Sequence, residues 1–278
     1  MKGVYTKRVK TALFFVIIFL YMVFFIFPVI WLLLQSLTTG GFIVSPSLEL
    51  LSNLNLQNYE NVLKPGSKFF RNAQNSIVVA SATTPLTVFV GSFCAYALAR
   101  LRVRRAQDLK IWILSLRFLP PIAVVIPLFI LYSTLGLIDS HLGLIMVYAT
   151  FNLPFAVWLM ISSFEEIPIE VEEAALIDGC STFQVFRKIA FPLVRGGMAV
   201  VALFIFIACW NEFLFALALT EMRAETLPRG LSAFIGLRGP EWGVMSAISI
   251  LMMMPILVTA FILQKYIVKG LTFGAVKA

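Results

Sequence analysis

Long apolar segments alternate with shorter polar segments along most of the chain. The apolar segments predict six helices, at about residues 11–34, 73–98, 111–134, 142–164, 197–220 and 243–264. Each can supply the roughly 20 residues that a helix needs to cross the hydrocarbon core of a bilayer. The first is longer than the roughly 7–15 apolar residues of a secretory signal, and it lacks a small-residue cleavage site. The pattern therefore predicts an all-α membrane protein in which residues 1–278 form one transmembrane domain.

The composition supports a lipid environment. The chain is 60% hydrophobic and 13% charged, whereas a soluble domain is usually about 25% charged. The formal net charge of +8 would suit a nucleic-acid partner, but the lysines and arginines flank the apolar segments, as membrane topology requires. The expected partner is a lipid bilayer, and nucleic acid is not expected.

The lysines and arginines also predict the orientation of the chain. With the N-terminus in the cytosol, fifteen of the 22 basic residues fall on the cytosolic side and six on the outer side. The remaining one, Arg117, lies inside the third predicted span. Because cytosolic loops are enriched in basic residues, both termini and the polar loop 165–196 are expected in the cytosol.

The loop 165–196 carries signals for two short helices. Pro168 suits the first position of a helix, the glutamates that follow it suit the positive end of the helix dipole, and Gly179 suits the helix end. Ser181 and Gln184 have the spacing of a capping box for the second helix. Pro192 is expected to stop or kink that helix.

One face of the first loop helix is expected to carry small side chains. Val171, Ala174, Ala175 and Asp178 follow the i, i+3, i+4, i+7 spacing of a single helical face. Small side chains there would let another surface approach closely, so the pattern predicts a docking element.

The loop resembles the EAA loop of permease subunits in binding-protein-dependent ABC importers. The matching positions are Glu173, Ala174, Ala175, Asp178, Gly179, Ile189 and Pro192. The wider stretch 172–193, EEAALIDGCSTFQVFRKIAFPL, is similar to the carbohydrate branch of these permeases, of the MalG type. The resemblance implies the MetI-like fold of importer permeases, in which these residues couple the spans to a cleft on a cytosolic ATPase subunit.

The resemblance also implies a set of partners. They are a second permease subunit forming a heterodimer, two ATPase subunits that bind magnesium-bound ATP, and an extracytoplasmic solute-binding protein. The implied activity is import by alternating access of a sugar, an oligosaccharide or a similar polyol- or glycerol-type solute. The implied location is the cytoplasmic membrane of a bacterium or archaeon.

The chain is not expected to be an enzyme or to bind a cofactor of its own. It has no G-x-x-x-x-G-K-[ST] sequence for ATP, no H-E-x-x-H and no G-x-S-x-G. It has one histidine, so no multi-histidine metal site is expected. Cys94, Cys180 and Cys209 are scattered, and they suggest reduced thiols in a hydrophobic setting.

Polar residues inside the predicted spans are candidates for a solute pathway, because they are costly in lipid. Trp210, Asn211 and Glu212 lie in the fifth span, in a tetrad with Phe213 that resembles carbohydrate-type permeases. An aromatic face and planar polar groups suit a sugar. Alternatively, Trp210 and Phe213 pack between helices while Asn211 and Glu212 bond to a neighbouring helix.

Two further candidates each have an alternative. Asn152 in the fourth span can face a pore, or it can satisfy the backbone that Pro154 leaves without a partner. Arg117 can line an inward cavity, or its long side chain can reach the inner interface.

Three other stretches resemble the same family. They are Asn58-Tyr59 in the long outer segment 36–71, AYALARLR at 95–102, and the C-terminal tail 270–277, for which the resemblance implies a second ATPase contact. In physical terms Arg100 and Arg102 can simply anchor a helix end among lipid headgroups.

Two other classes of protein are alternatives to the importer subunit. A stand-alone channel or ion-coupled transporter would work without an ATPase, but the few titratable groups inside the spans, essentially Arg117 and Glu212, weaken the case for proton or sodium coupling. A membrane-embedded enzyme would need a clustered catalytic set, which the sequence does not show.

Overall fold

The computed structural model describes residues 2–39, 54–236 and 239–273, and helices account for nearly all of the regular structure in these ranges. The helices are α1 (Lys2–Ser36), α2 (Gln57–Val62), α3 (Lys68–Arg100), α4 (Ala106–Ser115), α5 (Pro121–Thr134), α6 (His141–Glu165), α7 (Ile169–Ile177), α8 (Thr182–Val185), α9 (Phe191–Leu193), α10 (Arg195–Trp210), α11 (Leu214–Leu219), α12 (Leu227–Leu231) and α13 (Trp242–Phe273).

Short irregular elements join some of these helices. Leu116–Phe118 and Ser232–Phe234 are 3₁₀ turns, and Phe186–Ala190 is a π-helix between α8 and α9. Strands β1 (Ile235–Gly236) and β2 (Gly239–Pro240) pair antiparallel, with Ile235 opposite Pro240.

Four of the helices are long and apolar enough to cross a membrane as single elements: Leu13–Ser36, Lys68–Arg100, His141–Glu165 and Trp242–Gln264. Two bent pairs also qualify. Ala106–Phe118 meets Pro121–Thr134 at 87°, and Thr182–Leu193 meets Arg195–Trp210 at 74°. By length and composition the described chain therefore has up to six spans, when each bent pair counts as one. The first arm of the second pair, Thr182–Leu193, lies in the predicted loop 165–196, ahead of the predicted fifth span 197–220.

The third and fifth predicted spans are broken rather than continuous. In segment 111–134, Leu119 and Pro120 both precede a proline and take extended backbone angles, because a following proline disfavours helix. In segment 197–220, α10 ends at Trp210 and α11 begins only at Leu214.

The described residues within 1–69 and 233–254 form one compact unit. Within it, the Asn58 side-chain amide donates to the carbonyls of Ser36 and Thr38 at 3.0 and 2.8 Å. The hydroxyls of Tyr59 and Ser36 are 2.7 Å apart. A Cβ added at Gly243 would lie 2.7 Å from the Thr38 carbonyl oxygen. Asn58 and Tyr59 therefore attach α2 to the end of α1, while residues 40–53 of the predicted outer segment lie outside the described ranges.

The described residues within 70–232 and 255–278 form the second unit, and its core lies around α6. Small residues allow close helix approach there. A Cβ at Gly91 on α3 would lie 2.9 Å from the Cβ of Ala156 on α6. A Cβ at Gly197 on α10 would lie 2.2 Å from the hydroxyl oxygen of Ser163 on α6. The tail 270–277, for which the resemblance implies a second ATPase contact, lies outside the residues whose side chains the structure describes.

Candidate functional site

The polar loop 165–196 folds into short helices with identifiable ends, although Pro168 caps the first helix rather than occupying its first position, and a π-helix interrupts the second. Pro168 directly precedes α7, and Gly179, with a φ of +86°, follows its last turn. The capping box of α8 is present: the Ser181 N–H donates to Gln184 Oε1 at 2.8 Å, and the Gln184 N–H donates to Ser181 Oγ at 3.3 Å. Pro192 lies in α9, just before the 74° bend.

The residues of the predicted coupling set do not all face outward. Glu173, Ala174, Asp178, Gly179 and Pro192 are exposed, and Ile189 is half-buried. Ala175, by contrast, is only 6% exposed. The predicted small-residue face of α7 is therefore divided: Val171, Ala174 and Asp178 are open, whereas Ala175 packs within the chain.

A buried ion pair holds the inner side of α7. Glu172 is 5% exposed, and its Oε1 accepts from Arg100 Nε at 2.8 Å while its Oε2 accepts from the Tyr96 hydroxyl at 2.8 Å. The Arg100 guanidinium also donates to the carbonyls of Phe164 and Ile167. The interpretation of Arg100 as a headgroup anchor is therefore wrong, because its charge is paired inside the protein.

An aromatic cluster forms a second attachment of the loop. The ring of Phe186, at the start of the π-helix, lies 4.7 Å from the ring of Phe93 and 5.0 Å from that of Tyr96. It also lies 6.2 Å from the ring of Phe164 on α6 and 5.5 Å from that of Phe191. Such ring pairs contribute about 0.5–1.5 kcal/mol beyond their buried area, so the loop is packed against α3 and α6.

The tetrad that begins at Trp210 marks the break in the fifth span. Trp210 is 2% exposed and its ring stacks on Phe206 at 5.8 Å. The carboxylate of Glu212 accepts from the backbone N–H groups of Phe215 and Ala216 at 3.1–3.3 Å, so it caps α11. Asn211 is exposed, and its amide donates to the Ile207 carbonyl at 3.0 Å. The packing alternative therefore describes Trp210 but not Phe213, which is exposed together with Asn211.

The other two pathway candidates lie on or against α6. Asn152 is buried and donates to the Tyr148 carbonyl at 2.9 Å, with Cys209 Sγ 3.8 Å away. Arg117 is exposed at the 87° bend, and its guanidinium carbon lies 4.8 Å from the centre of the Phe155 ring. The structure therefore places Asn152 beside the α10 tetrad in a packing role and leaves Arg117 accessible.

An open groove of about 690 Å³ runs between α3 and α10. Thr84 and Arg195 are the polar residues that line it, and the rest of the lining is apolar. The predicted pathway residues do not line this groove. Among the described residues, no group of three His, Cys, Asp or Glu side chains is placed to hold a metal ion.

On the predicted outer side, Asp139 ties two loops together. Its carboxylate accepts from the backbone N–H groups of Glu221, Met222, Arg223 and Ala224 at 2.9–3.2 Å. Burial would raise the pKa of this carboxyl, but the four backbone donors outweigh it and lower the pKa from 3.8 to about 2. No local pattern predicts this clamp, because the partners of Asp139 lie 82–85 positions further along the chain.

Asp139→Asn is expected to lower the free energy of unfolding by about 2 kcal/mol at pH 7, since hydrogen bonds to a charged acceptor are lost. The folded pKa lies below the unfolded one, so the carboxylate contributes fully above about pH 4 and its contribution is lost as the pH falls towards 2. Thermal unfolding in detergent should show a gap between the two proteins at pH 7 that closes between pH 4 and 2. Asp108→Asn, at an exposed site in the first turn of α4, is the control and should show a gap below about 1 kcal/mol, the effect of a single charge at a helix N-terminus. An equal gap at pH 7 and pH 2 would contradict the clamp.

Comparison with known proteins shows the family to which the chain is related. Residues 87–273 match the family described as binding-protein-dependent transport system inner membrane component. The chain is 38% identical to a probable ABC transporter permease protein, y4oR, of Sinorhizobium fredii, over 91% of each chain. It is 37% identical to the trehalose/maltose transport system permease protein MalG of Thermococcus litoralis, over 91% of each, and 37% identical to the trehalose transport system permease protein SugB of Mycobacterium tuberculosis, over 90% and 92%.

A solved structure shares the fold. A chain of a bacterial ABC transporter involved in the import of the acidic polysaccharide alginate superposes with a TM-score of 0.77, at 22% identity. The match covers 94% of this chain and 97% of that chain. The broken third and fifth spans thus belong to an importer-permease fold.

Proposed function

Because the chain belongs to the family of binding-protein-dependent transport system inner membrane components, we propose that it is a permease subunit of an ATP-driven sugar importer. Two of its relatives are named as permeases for trehalose or maltose, which supports a sugar or oligosaccharide as the solute. Its expected companions are a second permease, two ATPase subunits and an extracytoplasmic binding protein.

The exposed face of α7 carries this proposal. Ile177 is 86% exposed, and Ile169, Leu176 and Val171 are between 42% and 50% exposed. Open apolar side chains on a short helix outside the spans are typical of a protein–protein contact. Exposed Glu173 and Asp178 on the same helix would suit a basic rim on the partner. We assign this face to the cleft of a cytosolic ATPase subunit.

In the proposed cycle, magnesium-bound ATP sits on the ATPase subunits and brings them together. The loop 165–196 follows that motion as a packed body, and the spans open outward to receive the solute. Of the pathway candidates, Asn211 and Arg117 are the accessible ones. We therefore expect these two to touch the solute, with Trp210, Glu212 and Asn152 shaping the break and the packing behind it.

The proposal is tested by purifying the protein gently from its native membrane and identifying its companions by mass spectrometry. A P-loop ATPase, a second permease and a binding protein are expected. The complex is then placed in liposomes with ATP on the ATPase side, and uptake of labelled trehalose and maltose is measured. A lone protein that moves solute along an ion gradient without ATP would contradict the proposal and favour a secondary transporter.

A further inference from the structure

We propose that Arg100 and Glu172 are positioning residues that fasten α7 to the inner end of α3, so that motion received by the loop is passed to that span. The inference rests on the proposed function, because it assigns a mechanical role within ATP-driven transport. The Arg100–Glu172 pair gives the loop a second connection to the spans, through α3, in addition to the continuous chain into α10.

The contacts of Arg100 join three elements. Arg100 is the last residue of α3, and its Nε meets Glu172 on α7 at 2.8 Å. The same guanidinium donates to the carbonyls of Phe164, in the last turn of α6, and Ile167, which follows it. The last carbonyls of a helix lack partners within the helix, and a cation there also complements the helix dipole. One side chain thus binds the ends of α3 and α6 to α7.

Burial makes this junction rigid. The side chains of Arg100 and Glu172 are 12% and 7% exposed, and both carboxylate oxygens of Glu172 are used, the second by Tyr96. Removal of one member of such a pair leaves a charge that water cannot reach, which is strongly unfavourable. The planar guanidinium also fixes direction, since its donors are held in a rigid fork.

The two adjacent glutamates of α7 have different tasks. Glu173 is exposed, whereas Glu172 is 5% exposed and paired within the chain. One side of the helix is therefore fastened to the spans while the other remains open to a partner. A helix held in this way passes a displacement on to the spans instead of rotating about its own axis. The ring cluster around Phe186 forms a separate, apolar attachment to the same part of α3.

A second ion pair near the same end of α6 provides a matched control. Lys110 Nζ lies 2.6 Å from Glu165 Oε1, but the Glu165 side chain is 49% exposed. Exposed pairs contribute little, because water screens them. Loss of Glu165 therefore removes a salt bridge from the same neighbourhood without releasing α7.

The attachment is tested by spin-label distance measurements in the assembled complex. Native Cys180, directly after Gly179, takes one label and Ile77→Cys on α3 takes the other, with Cys94 and Cys209 replaced by serine. The unaltered pair and Glu165→Gln should give one narrow distance distribution. Arg100→Ala and Glu172→Gln should broaden it. Tyr96→Phe loses one hydrogen bond but keeps its ring contacts, so it should broaden the distribution less.

Transport gives the functional readout. Arg100→Ala and Glu172→Gln should lower the solute imported per ATP hydrolysed by about tenfold, within the range by which network mutations change coupling between sites. Arg100→Lys, which keeps the charge but not the fork, should recover part of this ratio. A purely structural defect would instead lower complex yield and leave the ratio unchanged.

The two proposals fail in different ways. If Arg100→Ala and Glu172→Gln both keep the narrow distribution and the import per ATP of the unaltered complex, the positioning role is overturned and the importer assignment remains. If no ATPase assembles with the unaltered protein, the proposed function fails. The distance distributions of the permease alone would then still show whether the pair fastens α7.

Discussion

Ala174→Trp is expected to abolish ATP-driven uptake while the protein still inserts and folds. Ala174 is exposed on α7, beside Glu173 and among open apolar side chains, so the indole has room in the single chain. It would, however, hold away any surface that approaches the helix closely. Uptake into liposomes should fall to background, and the thermal unfolding midpoint should stay within a few degrees, as for most surface substitutions.

Two variants sharpen this test. Ala174→Ser keeps the side chain small and should preserve uptake. Ala175→Trp places the same ring one position further, where only 6% of the residue is exposed. It should therefore lower stability, since overpacking costs about 1–3 kcal/mol. Uptake that survives Ala174→Trp would exclude this face of α7 from the ATPase contact.

Gly197→Ala is expected to destabilise the protein, whereas Gly196→Ala should not. A Cβ at Gly197 would lie 2.2 Å from Ser163 Oγ and 2.8 Å from Ser163 Cβ, while a Cβ at Gly196 would meet nothing within 4 Å. The first contact forces α10 away from α6, at a cost of about 1–3 kcal/mol. The second change should be neutral or stabilising by up to about 1 kcal/mol, because alanine favours helix over glycine.

A compensating change identifies the cause. Ser163→Gly removes both atoms that clash, so the double variant Gly197→Ala with Ser163→Gly should regain the stability lost through the clash. Thermal unfolding in lipid nanodiscs is measured for the unaltered protein, Gly196→Ala, Gly197→Ala and the double variant. Equal effects of alanine at positions 196 and 197 would show that the helices do not meet at Gly197. The helix α10 begins at the 74° bend that follows the short helices of the loop. A displacement of α10 in Gly197→Ala should therefore lower uptake as well as stability.

Local signals were sufficient for much of the loop and for the number of spans. The capping box at Ser181 and Gln184 and the helix end at Gly179 depend on a few adjacent residues, so the sequence alone predicts them. The apolar segments likewise predict six spans. The prolines signalled interruptions, but the angles of 87° and 74° depend on packing against other helices, which no local pattern encodes.

The contacts between residues far apart in the chain could not be predicted from the sequence. Arg100 lies 72 positions before Glu172, and nothing in the pair Glu172-Glu173 indicates which glutamate turns inward. Similarly, Trp210 has the chemistry of a sugar contact, and only its burial beside Phe206 shows that it packs. The roles of the coupling residues and of Asn211 and Arg117 stay predictions.

The opposite environments of Glu172 and Glu173 make α7 sensitive to its length as well as to its composition. Successive residues of an α-helix point about 100° apart, so one residue inserted between Pro168 and Glu172 would turn every later side chain by that angle. The inner carboxylate would leave Arg100, and the outer contacts would move out of phase with their partner. Chimeric permeases that exchange this loop therefore have to join it in the same helical phase, and a junction displaced by one residue would lose both contacts at once.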